Sequence, residues 1–332
     1  KVDPDKFRVI SNDVGGSFGM KGAAFIEPIS VLYAARKLNR PVKWTADRSE
    51  SFVADHQGRD SIIYADLALD RDGNFLGLRV GGVGNVGAYL SGMGPAPMTG
   101  VICRNLISVY KTPNFAYGTK ALFSNTVPTG PYRGAGRPES KYIMEQLVDK
   151  AAREMGIDRV EIRRRNLIPP DAFPWKAPNG QTYDSGEFEA IMDAVLERAD
   201  WENFESRSAE SAANGKLRGI SVANYLENTG GAGELIDIRF RADGMVAMVT
   251  GAKDMGTSHR TPFMQILSER LGVPYDKIEV IQNDSDLMSS GAGGSGGSKT
   301  LVGAGNAIVD ASNGIIGLGK KAAAHVLEAA EV

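Results

Sequence analysis

The chain has 332 residues, 42% of them apolar and 23% charged, with a net charge of −2; that length suits two or three domains, and the charge gives no basic field for nucleic acid or anionic lipid. A single cysteine, Cys103, rules out an intrachain disulfide and a cysteine-ligated iron–sulfur cluster on this chain, and three scattered histidines (His56, His259, His325) argue against a histidine-rich metal site, so no residue is assigned as a metal ligand. No run of about 18 apolar residues occurs, so no membrane insertion is expected.

In chain order, Phe7–Ser11 reads as a strand leading into a glycine loop, Asn12–Lys21 (NDVGGSFGMK). A helix is expected near 24–38, with Ile26, Ile29, Leu32 and Tyr33 on one apolar face and Asn39-Arg40-Pro41 ending it. Residues 41–45 read as a strand. Ile62–Leu69 and Phe75–Val80 alternate around Asp70-Arg71-Asp72-Gly73, a hairpin signal. The Gly-, Pro- and Met-rich stretch 81–100 reads as loop. Residues 119–124 read as a strand running into a second glycine loop, Gly130–Glu139 (GPYRGAGRPE). Helix 139–155 follows, with Gly156 as its C-cap. Asp158 caps a helix at 159–166, whose Arg163-Arg164-Arg165 reads as a solvated or ion-paired face. Residues 168–184 are loop-like, 186–199 helical, and 206–216 a polar linker.

The pattern then restarts. Strands are expected at 217–222, 235–240, 245–250 and 277–281, with a hairpin turn at Arg241–Gly244. Helix 259–271 is closed by Gly272 and Pro274. A third glycine loop, Gly291–Thr300 (GAGGSGGSKT), precedes a long C-terminal helix. A boundary near 214 therefore separates 1–213 from 214–332. Both parts combine helices with antiparallel sheets, an α+β class. Lys at position 1 and a helical end without a cap suggest a piece cut from a longer protein.

Glycine is the compositional outlier, 40 of 332, and it clusters in loops without a fixed period. Each of the three loops precedes a helix. Glycine permits φ > 0 and close approach, and helix entrances present free N–H groups. Arg133 adds a fixed cation with a planar donor fork. Together these point to a large, oxygen-rich, anionic cofactor. Other readings stay open for each element. GGSFG also fits a tight turn, and it matches neither the Walker spacing nor the dinucleotide-binding pattern. Arg133 also fits a pair with a carboxylate such as Glu139. Within Lys253–His259, Thr257 or Ser258 is a helix cap and His259 a structural hydrogen-bonder. Asp284 and Asp286 read as turn residues, and GAGGSGGSKT as a linker by composition.

The ordered set is specific. It comprises Gly15-Gly16-Ser17-Phe18-Gly19-Met20-Lys21, Ala35–Trp44 (ARKLNRPVKW), Arg48-Ser49-Glu50, Pro131–Glu139 (PYRGAGRPE), Met255-Gly256-Thr257-Ser258-His259 and Gly296-Gly297-Ser298-Lys299-Thr300. It resembles the molybdenum-binding large subunit of the xanthine oxidase family. That family includes xanthine dehydrogenase, aldehyde oxidoreductases, aerobic carbon monoxide dehydrogenase and N-heterocycle dehydrogenases. The resemblance spans nearly the whole chain and implies two molybdenum-cofactor-binding subdomains, 1–213 as the end of the first and 214–332 as the start of the second. The implied cofactor is molybdopterin with molybdenum, in its cytosine dinucleotide form. Fe–S clusters and FAD would sit on partner subunits or domains, in a dimer of heterotrimers, with a small-molecule substrate. A cytoplasmic location is expected, with the periplasm as the alternative.

By that resemblance, Gly15, Gly16, Ser17, Phe18 and Gly19 lie over the molybdenum, with the Phe18 backbone near an oxo ligand. Arg133, followed by Gly134, stabilises charge on the substrate, so Phe18 and Arg133 are the catalytic candidates. Met255, Gly256, Thr257, Ser258, Gly296, Gly297 and Ser298 hold the pterin and its phosphates. The implied reaction is oxidative hydroxylation of an aldehyde or aromatic N-heterocycle, with water as the oxygen source. The alternatives are a carbon monoxide dehydrogenase large chain by similarity, or an inactive cofactor-binding or assembly fragment. Gly134 stands where carbon monoxide dehydrogenases carry a cysteine, which argues against CO. Gly22 and Ala135 stand where purine-oxidising members carry a glutamate and an aromatic residue, which argues against purines. Thr257 replaces a pterin-contacting glutamine. The resemblance places the family's catalytic glutamate in a G-x-G-E-like context near the C-terminus of the large subunit, so none of these residues is assigned that role.

Overall fold

The computed structural model describes residues 3, 6–228, 230–231, 233–282, 284–287, 294–328 and 330. Gly291–Gly293, which open the third glycine loop, lie outside them. The chain forms two compact units, Phe18–Glu227 and Lys1–Ser17 with Asn228–Val332.

The larger unit begins with helices α1 (Ile26–Leu38) and α2 (Arg48–Ala54), then the hairpin β1 (Ser61–Leu69) and β2 (Phe75–Gly87). The hairpin is antiparallel, as the alternation predicts. Its turn is held by the Asp70 carboxylate, which accepts the N–H groups of Asp72 and Asn74, both at 2.9 Å. A short helix, α3 (Ile102–Asn105), lies on the crossover to β3 (Phe115–Phe123), which pairs parallel with β2. Strand β2 continues through Gly81, Gly82 and Gly84, where composition suggested a loop. At Gly82 the backbone leaves no room for a side chain, since a Cβ there would stand 2.2 Å from the Ile62 carbonyl oxygen, and at Gly84 a Cβ would meet the Met98 side chain. The chain continues as α4 (Arg137–Met155), α5 (Arg159–Asn166), the small hairpin β4 (Trp175–Lys176) with β5 (Thr182–Tyr183), α6 (Phe188–Arg198) and α7 (Phe204–Ala213).

Three expectations fail here. Residues 41–45 and 217–222 form no ladder. The supposed linker at 206–216 is largely α7. Its entry is held by Arg207, whose guanidinium donates to the carbonyls of Ala199 and Asp200 at 2.8 and 2.5 Å. Local side-chain contacts thus outweigh the polar composition.

Met144, Val148, Ala151 and Ala152 of α4 share one core with Leu78 and Val80 of β2 and with Leu106, Tyr110 and Ile162. Inside it lies a charged cluster. Arg163 is fully buried and donates from Nε to Glu145 at 2.9 Å, with Nη2 2.8 Å from Glu145 and 2.9 Å from Asp149. The Tyr110 hydroxyl donates to the same Glu145 carboxylate at 2.6 Å. Arg164 pairs with Glu189 and Asp193, and Arg165 with Glu161. The arginine run is therefore ion-paired, as the acidic background suggested, but one member is interior.

Lys141 is buried in α4 and donates to the Asn105 carbonyl at 2.9 Å. Burial pulls its pKa down from 10.5 to about 8, against the pull of Glu145 and Glu227. Between those values the unfolded chain holds a proton that folded Lys141 has released, so stability rises with pH. We expect a gain of about 1–2 kcal/mol between pH 8 and 9.5, read from urea unfolding, and its disappearance in Lys141→Met. An equal gain in the variant would contradict the assignment.

The smaller unit holds the antiparallel hairpin β6 (Ile236–Phe240) and β7 (Val246–Thr250), helix α8 (Arg260–Leu271), strand β8 (Ile278–Ile281) and helix α9 (Thr300–Leu327). Helix α8 is the crossover that brings β8 parallel to β7. Val246, Met248, Phe263, Leu267, Ile278, Ala304 and Ile308 form its core. Among the described residues, α9 is the one helix long and apolar enough to cross a membrane, and its Ala304, Gly305 and Ile308 are buried. The strand expected at Phe7–Ser11 reduces to one bridge, Ile10 to Asp284. Arg8 ties it down by donating to both Asp284 carboxylate oxygens at 3.1 and 2.6 Å. Asp284 also accepts the Asp286 N–H at 3.1 Å, the turn role expected of it.

Candidate functional site

In the larger unit the first and second glycine loops meet. Phe18 has φ 54° and Gly19 φ 103°. The Arg133 N–H donates to the Phe18 carbonyl at 2.7 Å. A Cβ on Gly19 would stand 2.7 Å from the Pro131 carbonyl oxygen, so only glycine permits this approach. Among the described residues the Phe18 N–H has no acceptor, and the Phe18 side chain is 54% exposed. Its ring lies 6.2 Å from that of Tyr132. Gly15, Gly16 and Ser17, assigned to the same loop, end the N-terminal segment of the smaller unit, with Gly16 at φ 87°.

Beyond Arg133 three successive residues take positive φ: Gly134 at 90°, Ala135 at 47° and Gly136 at 102°. This run turns the backbone into the entrance of α4. A Cβ on Gly136 would meet the Pro97 carbonyl oxygen at 2.4 Å. The Arg133 side chain is exposed and has no carboxylate partner among the described residues. Glu139, the partner considered for it, pairs instead with Arg59 at 3.5 Å. The sequence reading missed Arg59, although it sits in a compact stretch, His56-Gln57-Gly58-Arg59, just before β1.

In the smaller unit the Met255–Ser258 loop leads into α8. Three of its four backbone donors are already engaged. One carboxylate oxygen of Asp254 accepts the N–H groups of Gly256, Thr257 and Ser258 at 3.0, 3.1 and 3.1 Å, and the other that of Arg260 at 3.4 Å. Asp254 therefore caps this helix entrance, in place of the Thr257 or Ser258 hydroxyl expected from sequence. Burial pushes the Asp254 pKa up, but the four backbone donors outweigh it and hold the group below the usual carboxylate range. Thr257 Oγ1 lies 2.9 Å from His259 Nδ1, the structural role expected of that histidine.

Asp254→Ala is expected to lower the stability of this unit by about 1–2 kcal/mol near neutral pH. Since the folded pKa is depressed, the wild-type advantage holds above the ordinary carboxylate value and fades as pH falls through the folded one. Unfolding curves at pH 7 and pH 3 that separate the two proteins equally would contradict this.

The described part of the third loop is built and not free. Gly294, Gly297 and Ser298 take φ 76°, 60° and 56°. A Cβ on Gly230 would stand 2.2 Å from the Gly297 carbonyl oxygen. The Ser295 hydroxyl donates to the Lys253 carbonyl at 2.5 Å, and Lys299 Nζ lies 3.8 Å from the buried Glu234 carboxylate. Gly296, Gly297 and Ser298 thus lie in a loop with defined close approaches, unlike a composition-driven linker.

The molybdopterin cofactor-binding domain matches this sequence twice, over residues 1–167 and 194–332. The nicotine 6-hydroxylase large subunit of Paenarthrobacter nicotinovorans is 31% identical over 99% of this chain and 42% of its own length. The carbon monoxide dehydrogenase large chain of Hydrogenophaga pseudoflava is 30% identical over 99% of this chain and 43% of its own. The solved quinoline 2-oxidoreductase of Pseudomonas putida 86 superposes with a TM-score of 0.87 at 31% identity, over 98% of this chain and 43% of that one. The chain spans about two fifths of the length of the curated relatives it matches.

Proposed function

The chain belongs to the xanthine oxidase family of molybdenum hydroxylases, in the molybdopterin-binding part of the large subunit, and from that membership we propose that it holds the cofactor for oxidative hydroxylation of an aromatic N-heterocycle or an aldehyde. One observation carries the reading. Where the first two loops meet, the Arg133 N–H is engaged by Phe18, while the Phe18 N–H and the Arg133 guanidinium have no partner among the described residues. Unclaimed donors on glycine-permitted backbone fit an oxygen-rich, anionic group.

The cofactor, when bound, supplies metal-centred hydroxylation of an electron-poor carbon, with water as the oxygen source. The chain supplies placement. The Phe18 N–H would donate to the bound group, and Gly15, Gly16, Ser17 and Gly19 would line it. Arg133, flanked by Gly134, holds negative charge that develops on the substrate. Met255, Gly256, Thr257, Ser258, Gly296, Gly297 and Ser298 contact the pterin and its phosphates. Because Asp254 already takes the N–H groups of 256–258, those three donors are not free for the phosphates.

Gly134 and Ala135 give the two positions after Arg133 neither a thiol nor an aromatic ring. That favours a heterocycle or aldehyde over CO or a purine, in line with the nicotine- and quinoline-oxidising relatives. The cytosine dinucleotide form of the cofactor, Fe–S and FAD subunits, a dimer of heterotrimers and a cytoplasmic or periplasmic location belong to the same proposal. So does the base that activates water: the resemblance places that glutamate near the C-terminus of the large subunit, so it would come from the longer subunit, and these 332 residues alone would be inactive. The test is elemental analysis of the purified complex, with fluorescence of released pterin. Molybdenum and pterin near one per chain support the reading; absence of both overturns it.

A further inference from the structure

We propose that Arg59 is a positioning residue for Arg133, acting through the Tyr132–Arg133 main chain; this rests on the reading of Arg133 given above. Arg59 has φ 60°, a left-handed conformation uncommon for a residue with a side chain. It is held there by lacing on its N-terminal side. The Gln57 N–H donates to the Pro128 carbonyl at 3.1 Å, and the Gly130 N–H donates to the Gln57 carbonyl at 2.8 Å. Gly58 lets Tyr132 come close, since a Cβ there would stand 2.9 Å from the Tyr132 Cβ.

From this anchor the guanidinium crosses the Tyr132 ring, 5.0 Å from its centroid. Its Nη2 donates to the Arg133 carbonyl at 2.5 Å and lies 3.5 Å from the Tyr132 carbonyl. Its Nε lies 3.5 Å from Glu139, in the first turn of α4. One side chain therefore ties the loop to the helix that follows it.

The geometry of a trans peptide gives this a direction. The Tyr132 carbonyl and the Arg133 N–H belong to one planar group and point to opposite sides. Arg59 approaches the first, and the Phe18 carbonyl takes the second at 2.7 Å. The peptide that presents Arg133 is gripped from both sides. Glu139 offsets the charge of Arg59, which leaves Arg133 as the cation of this loop with no carboxylate partner among the described residues. The planar fork matters: a lysine ammonium cannot span two carbonyls and a carboxylate together.

The first measurement is hydrogen exchange by mass spectrometry on the complete subunit. In Arg59→Ala, the peptide carrying the Arg133 N–H is expected to exchange about tenfold faster, with peptides from the cores of β2 and α4 unchanged. Arg59→Lys should fall between the two. Unchanged exchange at Arg133, or loosening spread equally over the core, would overturn the proposal. If Arg59→Ala fails to fold, Arg59→Lys and Glu139→Gln carry the same measurement.

The second measurement is turnover of nicotine, quinoline and benzaldehyde by the complete enzyme. Arg59→Ala should lower kcat with KM and molybdenum content unchanged, and should add nothing in an Arg133→Ala background. Additive losses would overturn the coupling. If Arg133→Ala leaves turnover intact while Arg59→Ala loosens the loop, the positioning of Arg133 stands and the catalytic reading of Arg133 falls.

Discussion

Arg133→Ala in the complete enzyme is expected to lower turnover by about 10²–10³-fold, the usual cost of removing one fixed donor to a charge that forms during reaction. Cofactor content should not change. The Arg133 side chain pairs with no carboxylate among the described residues, and the loop is held through its backbone, by Phe18 on one side and Arg59 on the other. Removing the side chain therefore removes charge without removing the loop. Arg133→Lys keeps the charge but loses the planar fork, and should recover part of the rate. Molybdenum and pterin content beside kcat separates the two effects. A variant that loses cofactor and rate together would make Arg133 a holding residue; one that keeps both would take it out of the site.

Glu145→Ala is expected to destabilise the larger unit by about 3–5 kcal/mol, because it strands a buried cation. Arg163 is fully buried, and Glu145 is the carboxylate it meets twice. The same carboxylate accepts from the Tyr110 hydroxyl, whose pKa burial and the Glu145 charge both push up. Asp149 remains as a partner at 2.9 Å and sets the lower end of the expected range. The comparison that isolates the mechanism is the double variant Glu145→Leu/Arg163→Met, which removes both charges and should lose much less. Urea unfolding of the three proteins decides it. Equal losses in the single and double variants would mean that volume, and not the stranded charge, is what matters.

The helices were legible where their ends carry chemistry. Asn39, Gly156 and Gly272 close α1, α4 and α8 in the left-handed region, and Asp158 caps α5. The hairpins β1–β2 and β6–β7 were legible from alternation around Asp-Gly turns, whereas the short β4–β5 pair lies in a stretch read as loop. The third strand of each three-stranded sheet was legible as a strand but not as a parallel neighbour, since parallel pairing across a crossover leaves no local mark. The glycines of β2 read as loop because composition does not report that Ile62 and Met98 press against them. At the site, the glycine loops and Arg133 stood out by sequence. Arg59 and Asp254 did not. Arg59 acts on carbonyls 73 and 74 residues away, a separation no periodicity encodes. Asp254 acts on its own loop, where a hydroxyl of Thr257 or Ser258 was an equally good cap on sequence grounds.

The Asp254 cap bears on how such a loop receives a large ligand. A helix entrance that waits for an anion to quench its N–H groups is ordered by the ligand, and that ordering is subtracted from affinity. Here the quenching group is part of the chain, so the loop takes its shape before anything binds. Association then resembles docking onto a finished surface, with little of the interaction free energy diverted to folding the receptor.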